Sequence, residues 1–158
     1  MENSKIGWTH HTFIPWIGCT PVSEACRHCY AEEEAVRRRL VDGWGRSVPR
    51  RRTSEANWRK PAKWNADAIR DGVRLRVFCS SYSDVFDEEV TSEWRSDLFE
   101  LIRETPNLDW LLLMKRPQLI EPQLREIGVW DSLPWRQIWF GTTMEDQRCF
   151  DERWPHLR

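Results

Sequence analysis

The sequence predicts an α/β fold built on a parallel sheet. Three observations carry this. Segments of strand character alternate with segments of helical spacing, in the order strand, helix, strand, helix, strand, as right-handed βαβ units do. Trp110-Leu-Leu-Leu-Met114 is a continuous apolar run, the pattern of a strand covered on both faces. Each predicted strand also ends in a polar group: Cys19, Ser80 to Asp84, Lys115 with Arg116, and Thr142 to Glu145. In such folds the carboxyl ends of the strands carry the site. Taken singly, each group is an ordinary cap or loop residue. Their recurrence after every strand points to a shared site.

The elements follow in chain order. Residues 1–18 are irregular and aromatic, with Trp8, Phe13, Pro15 and Trp16, and are expected to deliver Cys19 to the end of a first short strand. Pro21 and Ser23 mark a turn, and Ser23-Glu-Ala-Cys26 begins a helix expected to reach Leu40. Its acids come first and its bases last, which suits the helix dipole. Gly43, Gly45 and Pro49 then break structure. A basic, tryptophan-bearing excursion is expected at about 41–72. Val73 to Cys79 alternates with β-branched and aromatic residues and reads as a strand. Asp87 or Thr91 opens a helix over Ser92–Glu104, with Trp94, Leu98, Leu101 and Ile102 at helical spacing. After the strand at 110–114, a helix-like stretch runs to Ile127, and Gln137 to Gly141 is a further strand. Asp151 to Arg158 reads as the start of a helix rather than the close of a domain. Four strands do not close an eight-stranded barrel. One incomplete domain over 1–158 is therefore expected: a truncated product, a fragment or an open half-barrel.

Composition bounds the function. With 24 basic and 25 acidic residues the net charge is −1, so the whole chain carries no attraction for nucleic acid. The bases are uneven, however. Between Arg37 and Lys63, ten of them, including Arg50, Arg51 and Arg52, face only Asp42 and Glu55. Trp44, Trp58 and Trp64 are interleaved. Arginine with tryptophan suits phosphate pairing and base stacking, so a nucleic acid or a partner protein is a candidate there. A solvated loop whose tryptophans fold back on the core is an equal alternative. No apolar run is long enough to span a membrane, and the polar N-terminus lacks a secretory pattern, so a cytoplasmic location is expected.

The stretch with most chemistry runs from Gly18 to Tyr30. It holds Cys19, Cys26 and Cys29 in the spacing C-x6-C-x2-C. In a reducing compartment clustered cysteines more often bind metal than pair as disulfides. Three thiolates are one short of a closed four-coordinate site. Two metal readings follow: an iron–sulfur cluster with one iron left open, or a Cys3His zinc site with His28, His10 or His11 as fourth ligand. Ligand count and spacing favour the cluster, since a structural zinc site usually pairs two C-x2-C knuckles and this chain has one.

The segments Lys5-Ile-Gly-Trp-Thr9 and Phe13-Ile-Pro-Trp-Ile-Gly-Cys-Thr20 resemble the start of a family of phage and bacterial three-cysteine-motif proteins, distantly similar to radical SAM enzymes. The likeness continues through Cys26 to Glu32, Ser80 to Phe86, Lys115-Arg-Pro117 and Ile138 to Gln147. Radical SAM enzymes mostly carry C-x3-C-x2-C, and the first gap here is longer. The resemblance implies a partial (βα) barrel of radical-SAM-like type whose family members continue with more strands. It implies a 4Fe-4S cluster on Cys19, Cys26 and Cys29 whose open iron binds the amino and carboxylate groups of S-adenosylmethionine, for radical chemistry on an unknown substrate. Tyr30 is then expected near the cluster or adenine. Ser81, Asp84, Lys115, Thr142 and Glu145 become candidates for cofactor or substrate contacts. Lys115 and Arg116 suit a carboxylate or phosphate, and Glu145 suits hydroxyls or an amine.

Overall fold

A computed structural model of the chain describes residues 2–132 and 135–157, with only the backbone described at Trp135. In chain order the strands and α-helices are β1 His11–Phe13, β2 Trp16–Ile17, α1 Tyr30–Arg37, β3 Arg51–Arg52, α2 Glu55–Trp58, α3 Lys60–Asp71, β4 Leu75–Cys79, α4 Ser92–Glu104, β5 Leu108–Met114, α5 Ile120–Glu126, β6 Ile138–Thr142 and α6 Gln147–Arg153. A short 3-10 helix, Glu24–His28, precedes α1.

β1, β4, β5 and β6 form a four-stranded sheet in that order, and every pairing is parallel. The register places Phe13 beside Cys79 and Cys79 beside Leu112, so the carboxyl ends of the strands reach one edge together. β2 and β3 pair antiparallel in a separate two-stranded ribbon.

Strand order equals chain order, so each crossover moves one strand in the same direction. Right-handed crossovers of that kind put the crossover helices α3, α4 and α5 on one face. The side-chain pattern agrees. Val77, Cys79, Trp110, Leu112, Met114 and Ile138 point to a core shared with α3, α4 and α5. Alternate residues point the other way. Thr12, Phe78, Leu111 and Trp139 form a row across that second face. Trp8 meets Phe78 edge to face at 5.0 Å, and Trp139 is 62% exposed.

Helix ends follow local chemistry. The Ser54, Thr91 and Asp146 side chains cap α2, α4 and α6 by accepting a backbone N–H three residues on. α3 carries Pro61 in its first turn and stops at Gly72 in the left-handed region.

Four expectations need correction. First, β1 ends at Phe13, and the Trp16–Ile17 ribbon strand intervenes before Cys19. Second, the helix expected from Ser23 or Cys26 to Leu40 is broken at Cys29, whose extended backbone separates the 3-10 turn from α1. Third, 41–72 is not an excursion throughout: α3 is the crossover between β1 and β4, and Trp58 and Trp64 are buried core residues. Apolar spacing at Pro61, Trp64 and Ala68 outweighs the basic residues between them. Fourth, the last helix begins at Gln147 rather than Asp151, because Asp146 caps it. Arg158, within the helix expected there, lies outside the described residues.

Candidate functional site

The site is built on the loop that leaves β2. Gly18 has φ +118°, and a Cβ there would meet Arg50 Cδ at 2.8 Å. Its N–H donates to the Tyr82 carbonyl at 3.0 Å. Glycine thus lets the chain pass between Arg50 and the loop after β4. Cys19 and Thr20 follow directly.

Beneath them lies a buried charge network. Arg50 Nη2 is 2.7 Å from Asp87 Oδ2, and Arg116 Nη1 is 2.9 Å from Asp84 Oδ2. Arg116 Nη2 stands 3.8 Å from Asp87, which links the two pairs. Both guanidiniums reach the cysteine loop. Arg50 donates to Thr20 Oγ1 at 2.6 Å, and Arg116 donates to the Thr20 carbonyl. Asp87 accepts from the Thr20 N–H at 3.1 Å. Two acids and two bases taken from water are stable only when paired and hydrogen-bonded to one another and to the backbone. A further arginine, Arg95, holds the acid-bearing loop by donating to the carbonyls of Val85, Asp87 and Val90.

Cys26 sits in the 3-10 turn, and Cys29 is the residue before α1. With Cys19, both line one cavity of about 140 Å³ at the carboxyl edge of the sheet. Six further sequence candidates are placed as follows. Tyr30, Ser81, Asp84 and Lys115 line the same cavity, and Tyr30 closes part of its rim by donating to the Ser81 carbonyl at 3.0 Å. Glu145 stands behind this wall, 3.8 Å from Lys115 Nζ, where it accepts from Ser23 Oγ at 2.9 Å and Arg153 Nη1 at 3.1 Å. Thr142 does not line the cavity. Its hydroxyl donates to the Met114 carbonyl at 2.9 Å, and the neighbouring Thr143 forms the wall instead. Asp84 is already engaged: besides Arg116 it accepts from the N–H groups of Phe86 and Lys115, both at 3.0 Å.

The electrostatics differ among the thiols. Burial pushes the Cys19 thiol up to about 12; Asp84 adds to this and Arg116 opposes it. Burial also raises Cys26, but hydrogen bonds from the Val22 and Ser23 backbone and the Ser23 hydroxyl, with Lys115 nearby, bring it below its ordinary value. Burial works against the Glu145 carboxylate as well, yet Ser23, Arg153 and Lys115 together hold it below the usual range. Cys79 and Cys149 are buried away from the cavity.

Among the described residues, no three His, Cys, Asp or Glu side chains converge on a point where a single metal ion would sit. The thiols border a cavity instead. A polynuclear cluster takes its cysteines on different irons, so a donor set spread around a cavity fits it. A zinc ion needs its donors on one centre. His10 and His11 are engaged elsewhere: His10 Nδ1 accepts from the Arg76 N–H at 2.8 Å, and His11 stacks on Trp64 at 4.4 Å. His28 lies on the outer side of the cysteine turn, with Arg27 and Cys29.

Arg50 and Asp87 escape sequence reasoning. One lies inside a basic run, and the other looks in the sequence only like a helix opener.

Fold and site together define a parallel α/β protein with three free thiols around a cavity at the carboxyl edge of its sheet. The chain belongs to the family described as protein of unknown function DUF5131, which it matches over residues 3–158. No curated protein and no solved structure matches it. No helix among the described residues is long and apolar enough to cross a membrane.

Proposed function

We propose that this protein is a radical-SAM-like iron–sulfur protein that holds a 4Fe-4S cluster on Cys19, Cys26 and Cys29 and uses S-adenosylmethionine in radical chemistry on a substrate not yet known. The observation that carries the reading is the meeting of all three thiols with Lys115 around one cavity at the carboxyl edge of a parallel sheet. The cluster and S-adenosylmethionine, when bound, supply reductive cleavage and a radical; the protein supplies position and exclusion of water.

The chain's own residues take distinct parts. Lys115 is the cation that faces a carboxylate in the cavity, and Glu145 behind it sets the position of its ammonium group. Tyr30, 61% exposed, offers its ring at the rim for an adenine. Ser81 supplies polar wall. Asp84 acts through Arg116 and the Lys115 backbone rather than by touching a ligand. Thr142 holds the end of β5 to β6. Phe78 and Leu113, on the face opposite α3, α4 and α5, also line the cavity, so a substrate reaches it from that side. A face free of the crossover helices is what an arc of a (βα) barrel presents inward, and the fold is read as such an arc in a reducing, cytoplasmic setting.

The test is anaerobic reconstitution with iron and sulfide, followed by metal analysis and titration with S-adenosylmethionine. Brown protein with iron and sulfide near four per chain, whose spectrum changes on adding S-adenosylmethionine, is the expected result. Colourless protein holding zinc overturns it. Iron uptake with no response to S-adenosylmethionine keeps the cluster and removes the enzyme.

A nucleic-acid contact through the Arg37–Lys63 stretch is a second reading. Arg39, Arg46 and Arg51 are exposed and carry no ion pair among the described residues. Base stacking on Trp58 and Trp64 is not part of it, because both are core residues. Trp44 packs against Ile17, Ala35 and Val41 and lines the thiol cavity, which leaves phosphate contact as the reading.

A further inference from the structure

We propose that Arg116 is a positioning residue that tunes the Cys19 corner of the site, raising the reduction potential of a cluster bound there; this rests on the cluster reading above. The three thiols are not equivalent. Cys19 Sγ lies 3.7 Å from Arg116 Nη1, whereas Cys26 Sγ lies 3.7 Å from a neutral hydroxyl, that of Ser23. Among the described residues no other cysteine of the three has a guanidinium at such range.

The arginine is held so that this contact persists. Its side chain is 2% exposed, its Nη1 is shared between Asp84 and the sulfur, and its Nη2 is fixed by the Thr20 carbonyl and Asp87. A rigid planar fork with charge-assisted bonds on both tips has no freedom to turn away from the thiol. Its Nε is buried without a partner, so the cost of burying this group is accepted without full satisfaction. The pairing with the two aspartates also cancels its net charge. What reaches the sulfur is a local donor rather than a field over the whole cavity.

A hydrogen bond to a ligand sulfur withdraws charge from it and stabilises the more negative, reduced state of the cluster. Arg116 therefore favours reduction, and does so at one corner only. Lysine in its place keeps the charge but loses the fork, so it cannot hold Asp84, Thr20 and the sulfur together.

The experiment is a potentiometric titration of reconstituted protein, read by absorbance and electron paramagnetic resonance. Three comparisons with wild type are needed: Arg116→Lys; Arg116→Gln with Asp84→Asn, which leaves no lone buried ion at that pair; and Arg50→Lys, which alters an equally buried guanidinium that touches no sulfur. The expected result is a more negative midpoint in the first two and the wild-type midpoint in Arg50→Lys. An unchanged midpoint in both Arg116 variants, with iron content equal to wild type, overturns this proposal and leaves the cluster reading standing. A shift of the same size in Arg50→Lys also overturns it, since the effect would then be loop distortion. If wild-type protein takes up no iron, both readings fall together. Should the Arg116 variants fold too poorly to load, a double-mutant cycle of unfolding midpoints in the apo protein, pairing Cys19→Ala with Arg116→Lys, replaces the titration. Additive shifts there show that the contact does not exist and overturn the proposal; coupled shifts support it.

Discussion

Arg50 and Asp87 sit 2.7 Å apart with both side chains 1% exposed, and between them they hold the hydroxyl and the N–H of Thr20. Removing one partner strands the other charge in the interior. Arg50→Ala is expected to cost about 3–5 kcal/mol of folding stability, while the apolar pair Arg50→Met with Asp87→Leu costs less. Urea unfolding of the three proteins checks this. Equal losses in single and double variants would show that the ion pair is not what matters.

Cys19, Cys26 and Cys29 are expected to act as a unit. Replacement of any one by alanine should abolish iron incorporation, and replacement of Cys79 or Cys149 should not. Iron-to-protein ratios after anaerobic reconstitution decide it. Equal iron in wild type and a triple-alanine variant would falsify the shared site.

Gly18→Ala should lower stability by about 1–3 kcal/mol and also depress iron loading. The residue's φ of +118° is strained for alanine, and the added methyl meets Arg50 Cδ at 2.8 Å. Iron loading at the wild-type level would mean that the Cys19 loop tolerates the shift.

The pH dependence of stability should carry the signature of Glu145. Its carboxylate is held below the ordinary value of 4.5 in the folded protein despite its burial, through Ser23, Arg153 and Lys115. A lowered folded value contributes stability that is present above 4.5 and lost as pH falls through the folded value. Glu145→Gln is therefore expected to be less stable than wild type at pH 7, with the gap closing below about pH 4. Thermal midpoints from pH 7 to 3 measure it, and a gap that stays constant would exclude the linkage.

If the basic stretch binds phosphates, the triple variant Arg39→Ala, Arg46→Ala, Arg51→Ala should bind a single-stranded oligonucleotide more weakly and with a shallower salt dependence. Fluorescence anisotropy at two salt concentrations reports both. Absence of binding by wild type at low salt returns these arginines to a plain solvated role.

Much of the scaffold was legible because it is written in local pattern. The apolar run at 110–114 lies within β5, the alternation at 73–79 contains β4, and helical spacing gave α4 its observed bounds. The polar strand ends were legible too, and Cys19, Asp84 and Lys115 do line one cavity. The fate of each charge was not. Asp84 looks like a ligand contact in the sequence but is engaged by Arg116 and two backbone N–H groups. The region 41–72 looks uniformly basic, yet Arg50 serves Asp87, Arg52 stacks over Trp58 at 3.9 Å, and Trp64 belongs to the core. Pairing is a property of distance in space, and no spacing rule within 41–72 reaches residues 84 to 97.

The outer side of β6 carries no paired strand among the described residues. Its sequence, Ile138-Trp-Phe-Gly-Thr142, contains neither a charge nor a proline, the two commonest means by which an edge refuses an incoming strand. Purified protein should accordingly self-associate as concentration rises, with β6 as the template. A lysine at position 139, where the tryptophan side chain already stands in solvent, is the substitution that should keep the protein dispersed while leaving the core behind it untouched.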